Sequence, residues 1–485
     1  MHAMHRAGGR RHRCTPNLTA MRRLLAVSVV IQCSTLQRFV TRLSLWREAR
    51  ADPIATSSCL LTPSRLRIEC TPQRTRPNAR QHRHPCTQAS PNPIDGQPGR
   101  DRDQDLRMLL ASQFPLFIAV GALVPILPLY GQEFGLTQSS VGILISTPSL
   151  AKLLLNLPCG RFTDTVGRRP MMIGGILLCA IADIGTGLSS TLPLLVLSRL
   201  LLGAGLSSSD AGAAAWVADA TQDRPETRAS FLGTQNAMIA TAFVIGPALG
   251  GVLVSQFGLR SIFFAVAIGA AACGAGYSTL PELRQASPAD ANNATSFQEL
   301  IASTDQQALA GVSIAFYCGA ACKIALIPAV AAEVFGASPT EVGQVFSALA
   351  ALAIIGTLAG GRLTDGAGPR TVLVGCGSIC ALSYFGAAVA VHEHAKPEFL
   401  ACLAAWAFAA AVKSPALQAF AIEAAPEDKR GAALSVPKTV GDLSYLAAPF
   451  LLGALDDMLG PDVALAACAL VFAAGTAFFF QVACQ

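Results

Sequence analysis

The sequence predicts an all-α membrane protein in which twelve transmembrane helices form two six-helix bundles. Of its 485 residues, 52% are hydrophobic and only 14% are charged. A soluble protein needs roughly 25% charged residues to cover its surface, so composition excludes that class. Apolar stretches long enough to cross roughly 30 Å of hydrocarbon recur after position 109. The second half of this region also repeats the first, which predicts two equivalent bundles.

Twelve apolar stretches, which we number as spans in chain order, supply the helices. A polar connection at 281–306 is the longest between them and divides the spans six and six. Glycine and alanine are abundant in these stretches, and such small residues let helices approach closely in lipid. The spans are 109–130, 140–160, 170–189, 192–218, 231–256, 261–280, 307–333, 341–361, 371–391, 397–424, 432–456 and 462–483.

Four units follow from this pattern: a leader at 1–105, bundles at 106–281 and 307–485, and a central loop at 282–306. The first 100 residues contain 17 arginines, no lysine and four acidic residues, so the basic excess belongs to the leader and does not indicate nucleic-acid binding. An Arg- and Ser-rich, acid-poor leader is typical of an organelle transit peptide. A short secretory signal at 24–33, or a leader absent from the mature protein, are the alternatives.

The distribution of basic residues predicts the orientation. Twelve Arg and Lys residues lie on one predicted side, in the segment before span 1, in the central loop and in the other loops of that side. Only Arg260 and Lys396 lie in loops of the opposite side. Because basic residues accumulate in cytosol-like loops, both termini and the central loop are expected to face that compartment. The leader favours the plastid envelope, with the mitochondrial inner membrane or another cellular membrane as alternatives.

An internal repeat relates the two halves. Residues 134–169 align without a gap with 335–370, at an offset of 201, and twelve of the 36 positions are identical. Later in each half the offset becomes 202, as in the pair Pro247 and Pro449. Two parallel six-helix repeats are the plan of many secondary transporters.

The strongest repeated motif lies in the loop after span 2, which reads GRFTDTVGRR at 160–169 and GRLTDGAGPR at 361–370. Glycines permit a tight turn, and arginines can bind a carboxylate bidentately. We therefore predict a latch that favours one access state, with Arg168 or Arg169 on Asp219 and with Asp164 near span 11. The alternative is that the arginines only fix topology. The predicted latch residues are Gly160, Asp164, Gly167, Arg168, Arg169, Asp219, Asp365 and Arg370.

These motifs resemble those of the major facilitator superfamily over residues 109–485. The first loop contains the complete family signature, whereas the second copy has Pro369 in place of the first basic residue. Span 4 contains Arg199 followed by Gly203 and Gly205, which is similar to an element of proton-coupled members. The resemblance implies the twelve-helix fold of that family.

Span 5 resembles the signature of drug:proton antiporters. Gly246, Pro247, Gly250 and Gly251 match it, whereas Ala242 stands where glycine or asparagine is common. A proline inside a helix bends it, so these four residues are predicted to form a hinge for alternating access. The alternative is a generic glycine-rich packing helix. The resemblance to this branch implies proton-coupled efflux.

Charged residues inside the spans are candidates for the pathway, because such residues are costly in a membrane. In the family that the chain resembles, spans 1, 4, 7 and 10 line the central cavity, which favours Arg199, Asp210, Lys323 and Lys413. We expect Arg199 and Asp210 to line one wall and Asp210 to face Lys413 across the cavity. The other intramembrane charges are Asp183 on span 3 and, expected nearer the surface, Lys152 and Asp442.

The sequence therefore predicts secondary active transport of a small solute by alternating access, driven as antiport by a proton gradient. An organic-anion transporter, acting as a uniporter or symporter in an organelle envelope, is the alternative, because cavity bases outnumber Asp210. A non-transporting receptor or scaffold is a third possibility. We find no nucleophile–base pair, metal-ligand cluster or phosphate-binding loop, so no enzyme and no cofactor are expected. The expected partners are the solute, protons and the lipid bilayer, and the chain is expected to be a monomer.

Overall fold

Twelve helices, α1 to α12, occupy the twelve predicted spans. The computed structural model describes residues 102–222, 225–283, 303–424 and 435–483, so nearly all of the predicted leader and the central loop lie outside the described residues. Eleven of the helices are long and apolar enough to cross a membrane. The twelfth, α11, has 25 residues and contains Asp442, Asp456 and Asp457. The helices are α1 (Arg102–Leu123 and Ile126–Glu133), α2 (Gln138–Val166), α3 (Arg168–Leu188), α4 (Leu192–Ala220), α5 (Pro225–Phe257), α6 (Ser261–Ser278), α7 (Thr304–Ala325 and Ile327–Glu333), α8 (Pro339–Ala367), α9 (Pro369–His392), α10 (Lys396–Glu423), α11 (Ser435–Leu459) and α12 (Pro461–Ala483).

Local sequence explains where several helices begin. Thr137 accepts a hydrogen bond from the Ser140 backbone N–H before α2, and Ser338 forms a capping box with Glu341 before α8. These caps satisfy N–H groups that have no partner inside the helix. Gly167, between α2 and α3, has a φ of 120°, and Gly368 at the equivalent place has a φ of 82°. Only glycine adopts such angles without strain, which explains these two residues of the repeated loop.

Prolines interrupt the first helix of each half. The two segments of α1 are separated at Val124 and Pro125, and Leu326 separates those of α7, two residues before Pro328. Proline lacks the N–H that would continue the hydrogen-bond ladder. Each half therefore has a broken helix at the end opposite the repeated loop.

Each half has its own core. In the first half, Trp216, Tyr130 and Phe263 are fully buried, and in the second Tyr384 and Phe472 are. The outer faces of the helices are apolar, as expected for contact with lipid. Leucine and isoleucine side chains that are more than 60% exposed illustrate this surface: Leu154, Leu157, Ile181, Leu188, Ile268 and Leu358.

The two halves contact each other through a pair of equivalent helix crossings. Gly142 of α2 lies against the Pro449 carbonyl of α11, and Gly343 of α8 lies against the Pro247 carbonyl of α5. The internal repeat relates these two crossings, because both residues of one have their counterparts in the other. The absence of a side chain at each glycine lets the helices approach closely.

Hydrogen bonds reinforce this contact at the end opposite the repeated loop. The Asp457 carboxylate of α11 accepts from the backbone N–H groups of Gln138 and Ser139, at 2.8 and 2.9 Å. Gln132 donates to Glu333 at 2.6 Å, which joins the ends of α1 and α7. The halves are thus closed together at this end, and the basic-residue rule places it away from the cytosol-like compartment.

Candidate transport pathway

Two cavities lie within the described part of the helical region. The first, about 480 Å³, lies among α1, α3, α4, α5 and α6, and Asp210 and Gln113 line it. The second, about 360 Å³, lies between α1 and α5 of the first half and α7, α8, α10 and α11 of the second. We call them the N-terminal cavity and the central cavity. Both are mainly apolar with few polar groups, as is usual for small-molecule sites.

Asp210 forms an ion pair with Lys152, near the middle of α2 and α4. The Lys152 Nζ and Asp210 Oδ2 atoms are 2.9 Å apart, and the two side chains are 27% and 61% exposed. Asp210 also lines the N-terminal cavity. The predicted pairing of Asp210 with Lys413 is therefore wrong. Lys152, which was expected nearer the surface, is instead 27% exposed and is the partner of Asp210.

Lys413 lies inside the second bundle. It is fully buried, its Nζ has no hydrogen-bond partner among the described residues, and it lies 5.2 Å from the Phe472 ring centroid. Ala411, two residues earlier, lines the central cavity. Lys413 itself is not among the residues that line the cavity, so it lies beside the lining face of α10 and inside the bundle.

Arg199 also faces the inside of a bundle. It is 1% exposed and lies 5.2 Å from the Phe263 ring centroid of α6. Asp183 of α3 is buried nearby and acts on it electrostatically. The expectation that Arg199 and Asp210 line one open wall is therefore wrong, because α3 and α6 cover α4 at the depth of Arg199. Asp183, by contrast, borders the N-terminal cavity.

The predicted contact between Arg168 and Asp219 is confirmed. The Arg168 Nε and Asp219 Oδ2 atoms are 3.0 Å apart, and the two side chains are 6% and 18% exposed. Arg168 also donates to the Thr163 carbonyl and lies 3.4 Å from the Asp164 carboxylate. The Asp164 side chain is 71% exposed, and its ion-pair partner among the described residues is Arg168 of its own loop. The residues directly before α11, where a contact with Asp164 is predicted, lie outside the described residues.

Glu282, which sequence reasoning missed, caps α3. Its carboxylate accepts from the backbone N–H groups of Arg168 and Arg169, at 2.8 and 3.0 Å. A carboxylate at a helix N-terminus is favoured by the helix dipole. Arg169 donates to the Ser278 carbonyl close by. No motif distinguishes Glu282 in the sequence, because it stands alone at the start of a polar connection.

The second copy of the loop is more open than the first. Arg370 lies 3.6 Å from Asp305 and 3.7 Å from Glu423, and its side chain is 42% exposed. Arg370 also donates to the Ala483 carbonyl. Asp365 is exposed. Ion pairs are therefore present beside the repeated loop in both halves, but only the Arg168–Asp219 pair of the first half is buried.

The glycines of the predicted hinge are positions of close packing. A side chain at Gly246 would meet the Ile118 carbonyl of α1, and one at Gly250 would meet Ala122 of α1. A side chain at Gly251 would meet Thr340 of α8. The bending function of this segment remains a prediction. Gly160 and Gly361 of the repeated loops have open space instead, so crowding does not explain them.

Known transporters match this chain in sequence. The sequence pattern of the Major Facilitator Superfamily matches residues 109–322 and 309–483. Over 162 residues, which are 33% of this chain and 41% of the relative, the chain is 32% identical to Multidrug resistance protein 1 of Bacillus subtilis (strain 168). Over 167 residues, 34% of this chain and 42% of the relative, it is 25% identical to Quinolone resistance protein NorA of Staphylococcus aureus (strain MRSA252). The alignments thus span about two fifths of these relatives.

Solved structures share the fold. A bacterial homolog to the human lysosomal transporter Spinster, in an inward-facing and occupied conformation, aligns with a TM-score of 0.67 at 18% identity, over 79% of this chain and 98% of that one. The human organic anion transporter MFSD10 aligns with a TM-score of 0.56 at 17% identity, over 79% and 100% of the two chains. Together with the repeated bundles and the loop signature, these matches show that the chain is a multi-pass membrane protein of the Major Facilitator Superfamily.

Proposed function

We propose that this protein is a secondary active transporter that exports a small organic molecule in exchange for protons. The ion pair between Lys152 and Asp210 carries the proposal, because it lies near the middle of α2 and α4 and its carboxylate borders the N-terminal cavity. The names of the sequence relatives, a multidrug resistance protein and a quinolone resistance protein, support export as the direction.

The pair suggests how a proton is coupled to movement. Charged Asp210 holds Lys152 at 2.9 Å within the first half. A proton on Asp210 removes that attraction, and Lys152 is then free to be attracted by Asp442, which acts on it electrostatically from α11 of the second half. Such an attraction would draw α2 and α11 together on the cytosol-like side, where the described residues of the two halves form no hydrogen bonds like those at the outer end. Alternating access follows if this closure loosens the outer contact.

The predicted latch is expected to set the balance between the two access states. The ion pair of Arg168 with Asp219 joins α3 to α4 beside the repeated loop, and Glu282 joins the same loop to the end of α6. These contacts make the cytosol-like end of the first half rigid. We propose that the first half therefore moves as one body against the second.

A flux experiment tests this function. The full chain is reconstituted in liposomes, and the movement of a fluorescent quinolone is followed with and without an imposed pH gradient. We expect uphill movement only when protons can move in the opposite direction. If the quinolone moves at the same rate with and without the pH gradient, proton antiport is rejected.

We also propose which cellular membrane contains the protein. The Arg-rich leader at 1–105 supports an organelle address, and we propose the plastid envelope, with the two bundles acting as a monomer. A fusion of residues 1–105 to a fluorescent protein tests the address: plastid fluorescence supports it, and cytosolic fluorescence rejects it.

Organic-anion transport is the second candidate, and one observation favours it. Lys323 is the only charged residue among the described residues that line the central cavity.

A further inference from the structure

Lys323 lacks a carboxylate partner among the described residues of the central cavity. It lies on α7, is half-buried, and has its Nζ atom 5.4 Å from the centroid of the Phe346 ring. It also occupies the last turn before α7 breaks at Leu326, where the negative end of the helix dipole favours a cation. These two contacts stabilise the charge only partly, and a charge in a membrane usually has a functional partner.

Trp406 of α10 also borders the central cavity, and its indole nitrogen lies against α7. The Trp406 side chain is 5% exposed, and its Nε1 donor has no hydrogen-bond partner among the described residues. A methyl group at Gly319 would lie 3.3 Å from this nitrogen. Gly319 and Lys323 are four residues apart on α7 and so share one face. The Trp406 nitrogen is thus buried beside α7, and Lys323 is the charged donor that lines the cavity.

The remaining lining is apolar and aromatic. Phe243 of α5, Phe316 of α7, Phe346 of α8 and Tyr445 of α11 border the cavity. Such side chains favour a flat hydrophobic body. At about 360 Å³, the cavity is within the size range of sites for small organic molecules.

We propose that the central cavity binds an amphipathic organic monoanion, with its carboxylate or sulfonate on Lys323 and its aromatic body among the phenylalanines. This proposal rests on the proposed transport function and names its substrate class. The proposal also assigns proton coupling and solute binding to different places: the Lys152–Asp210 pair takes part in proton coupling, and Lys323 binds the solute. A hydrogen bond between an ammonium and an anion is about twice as strong as a neutral one, so Lys323 is expected to dominate affinity.

Three probes with one aromatic body and different charges test the site: 2-naphthoate, 2-naphthalenemethanol and 2-naphthylmethylammonium. Counterflow of each labelled probe is measured in proteoliposomes without a pH gradient, so this assay does not depend on proton coupling. We expect saturable counterflow of naphthoate and little of the alcohol or the amine. Equal or better counterflow of the amine or the alcohol overturns the proposal, and so does the absence of saturable naphthoate counterflow. Failure of gradient-driven flux with intact naphthoate counterflow rejects the antiport function alone.

Variants locate the site. Lys323→Gln is expected to raise the half-saturating naphthoate concentration at least tenfold, whereas Lys323→Arg retains most of the wild-type affinity. Lys396→Gln, which removes a surface lysine, serves as the control and is expected to have no effect. In parallel, naphthoate should raise the unfolding temperature of the purified wild-type protein, because a ligand that binds the folded state stabilises it. An unchanged naphthoate affinity in folded Lys323→Gln overturns the assignment of Lys323.

Discussion

Arg168 and Asp219 form a buried ion pair, 3.0 Å between Nε and Oδ2, beside the repeated loop of the first half. In the second half Pro369 stands in place of Arg168, and the ion pair beside the repeated loop is that of Arg370 with Glu423, at 3.7 Å, with both side chains about half exposed, at 42% and 50%. The two halves thus contain one buried and one exposed ion pair beside the same loop. The comparison allows the effect of burial to be measured within one protein.

Removal of Asp219 is expected to destabilise the protein more than removal of Glu423. Asp219→Ala leaves the Arg168 guanidinium buried without its main partner, and breaking a buried pair in this way costs about 3–5 kcal/mol. Glu423→Ala breaks an exposed pair, and such pairs contribute at most about 1 kcal/mol. Thermal unfolding of the two purified variants in detergent measures the difference. Equal losses would mean that burial does not determine the strength of this pair.

The crossing of Gly343 with Pro247 predicts the effect of a single methyl group. A Cβ at Gly343 would collide with the Pro247 carbonyl, so Gly343→Ala is expected to separate α5 from α8 at the outer end and to reduce transport strongly. Gly142→Ala is expected to reduce transport in the same way, by separating α2 from α11 at the equivalent crossing. Gly174→Ala is the matched control, because a Cβ there meets nothing within 4 Å. Counterflow rates of the three variants test the expectation, and a Gly343→Ala rate equal to that of Gly174→Ala contradicts it.

Asp457 is expected to hold the outer end closed. Its carboxylate accepts two backbone N–H groups of α2, and hydrogen bonds to a charged group contribute about 1.5–3 kcal/mol each. Asp457→Ala should shift the equilibrium toward opening at this end by at least about tenfold, since 1.4 kcal/mol corresponds to tenfold.

Spin labels measure that shift. Gln256 at the end of α5 and His394 before α10 are exposed on the two halves, and cysteine substitutions there report the distance between them. We expect a longer-distance population in Asp457→Ala and none in the control Glu398→Gln, which changes an exposed carboxylate of the same end. An unchanged distance distribution in Asp457→Ala would show that the carboxylate does not stabilise closure.

The sequence predicted the twelve helices and the loop network because those features depend on local pattern. Apolar length determines which stretches span the membrane, and the glycine spacing of the repeated loop fixes the turn that brings Arg168 to Asp219. The repeat also identified Gly142 and Gly343 as equivalents, together with Pro247 and Pro449. It did not reveal that each glycine packs on a proline of the other half, because that contact depends on how the two bundles meet.

The charged residues inside the helices were harder to place. Asp210 and Lys413 differ by 203 positions, whereas the repeat offset is 201 to 202. An alignment error of one or two residues changes the predicted direction of a side chain by about 100–200° around the helix axis. Ala411 lines the cavity and Lys413, two residues later, is buried, so an error of this size is enough to make the prediction wrong. Lys152 was missed for a related reason, because sequence alone does not show which side of α2 faces α4.

Asp210→Asn provides the most direct test of proton coupling through the Lys152–Asp210 pair. The variant keeps the shape of the side chain and removes its titration, so it separates solute movement from proton coupling. In one proteoliposome preparation, flux of the fluorescent quinolone is measured as counterflow without a gradient and as uphill flux driven by a pH gradient. We predict that Asp210→Asn retains counterflow and loses the uphill flux that the wild-type protein shows. Uphill flux equal to that of the wild type in Asp210→Asn would contradict the account and assign the coupling proton to another residue.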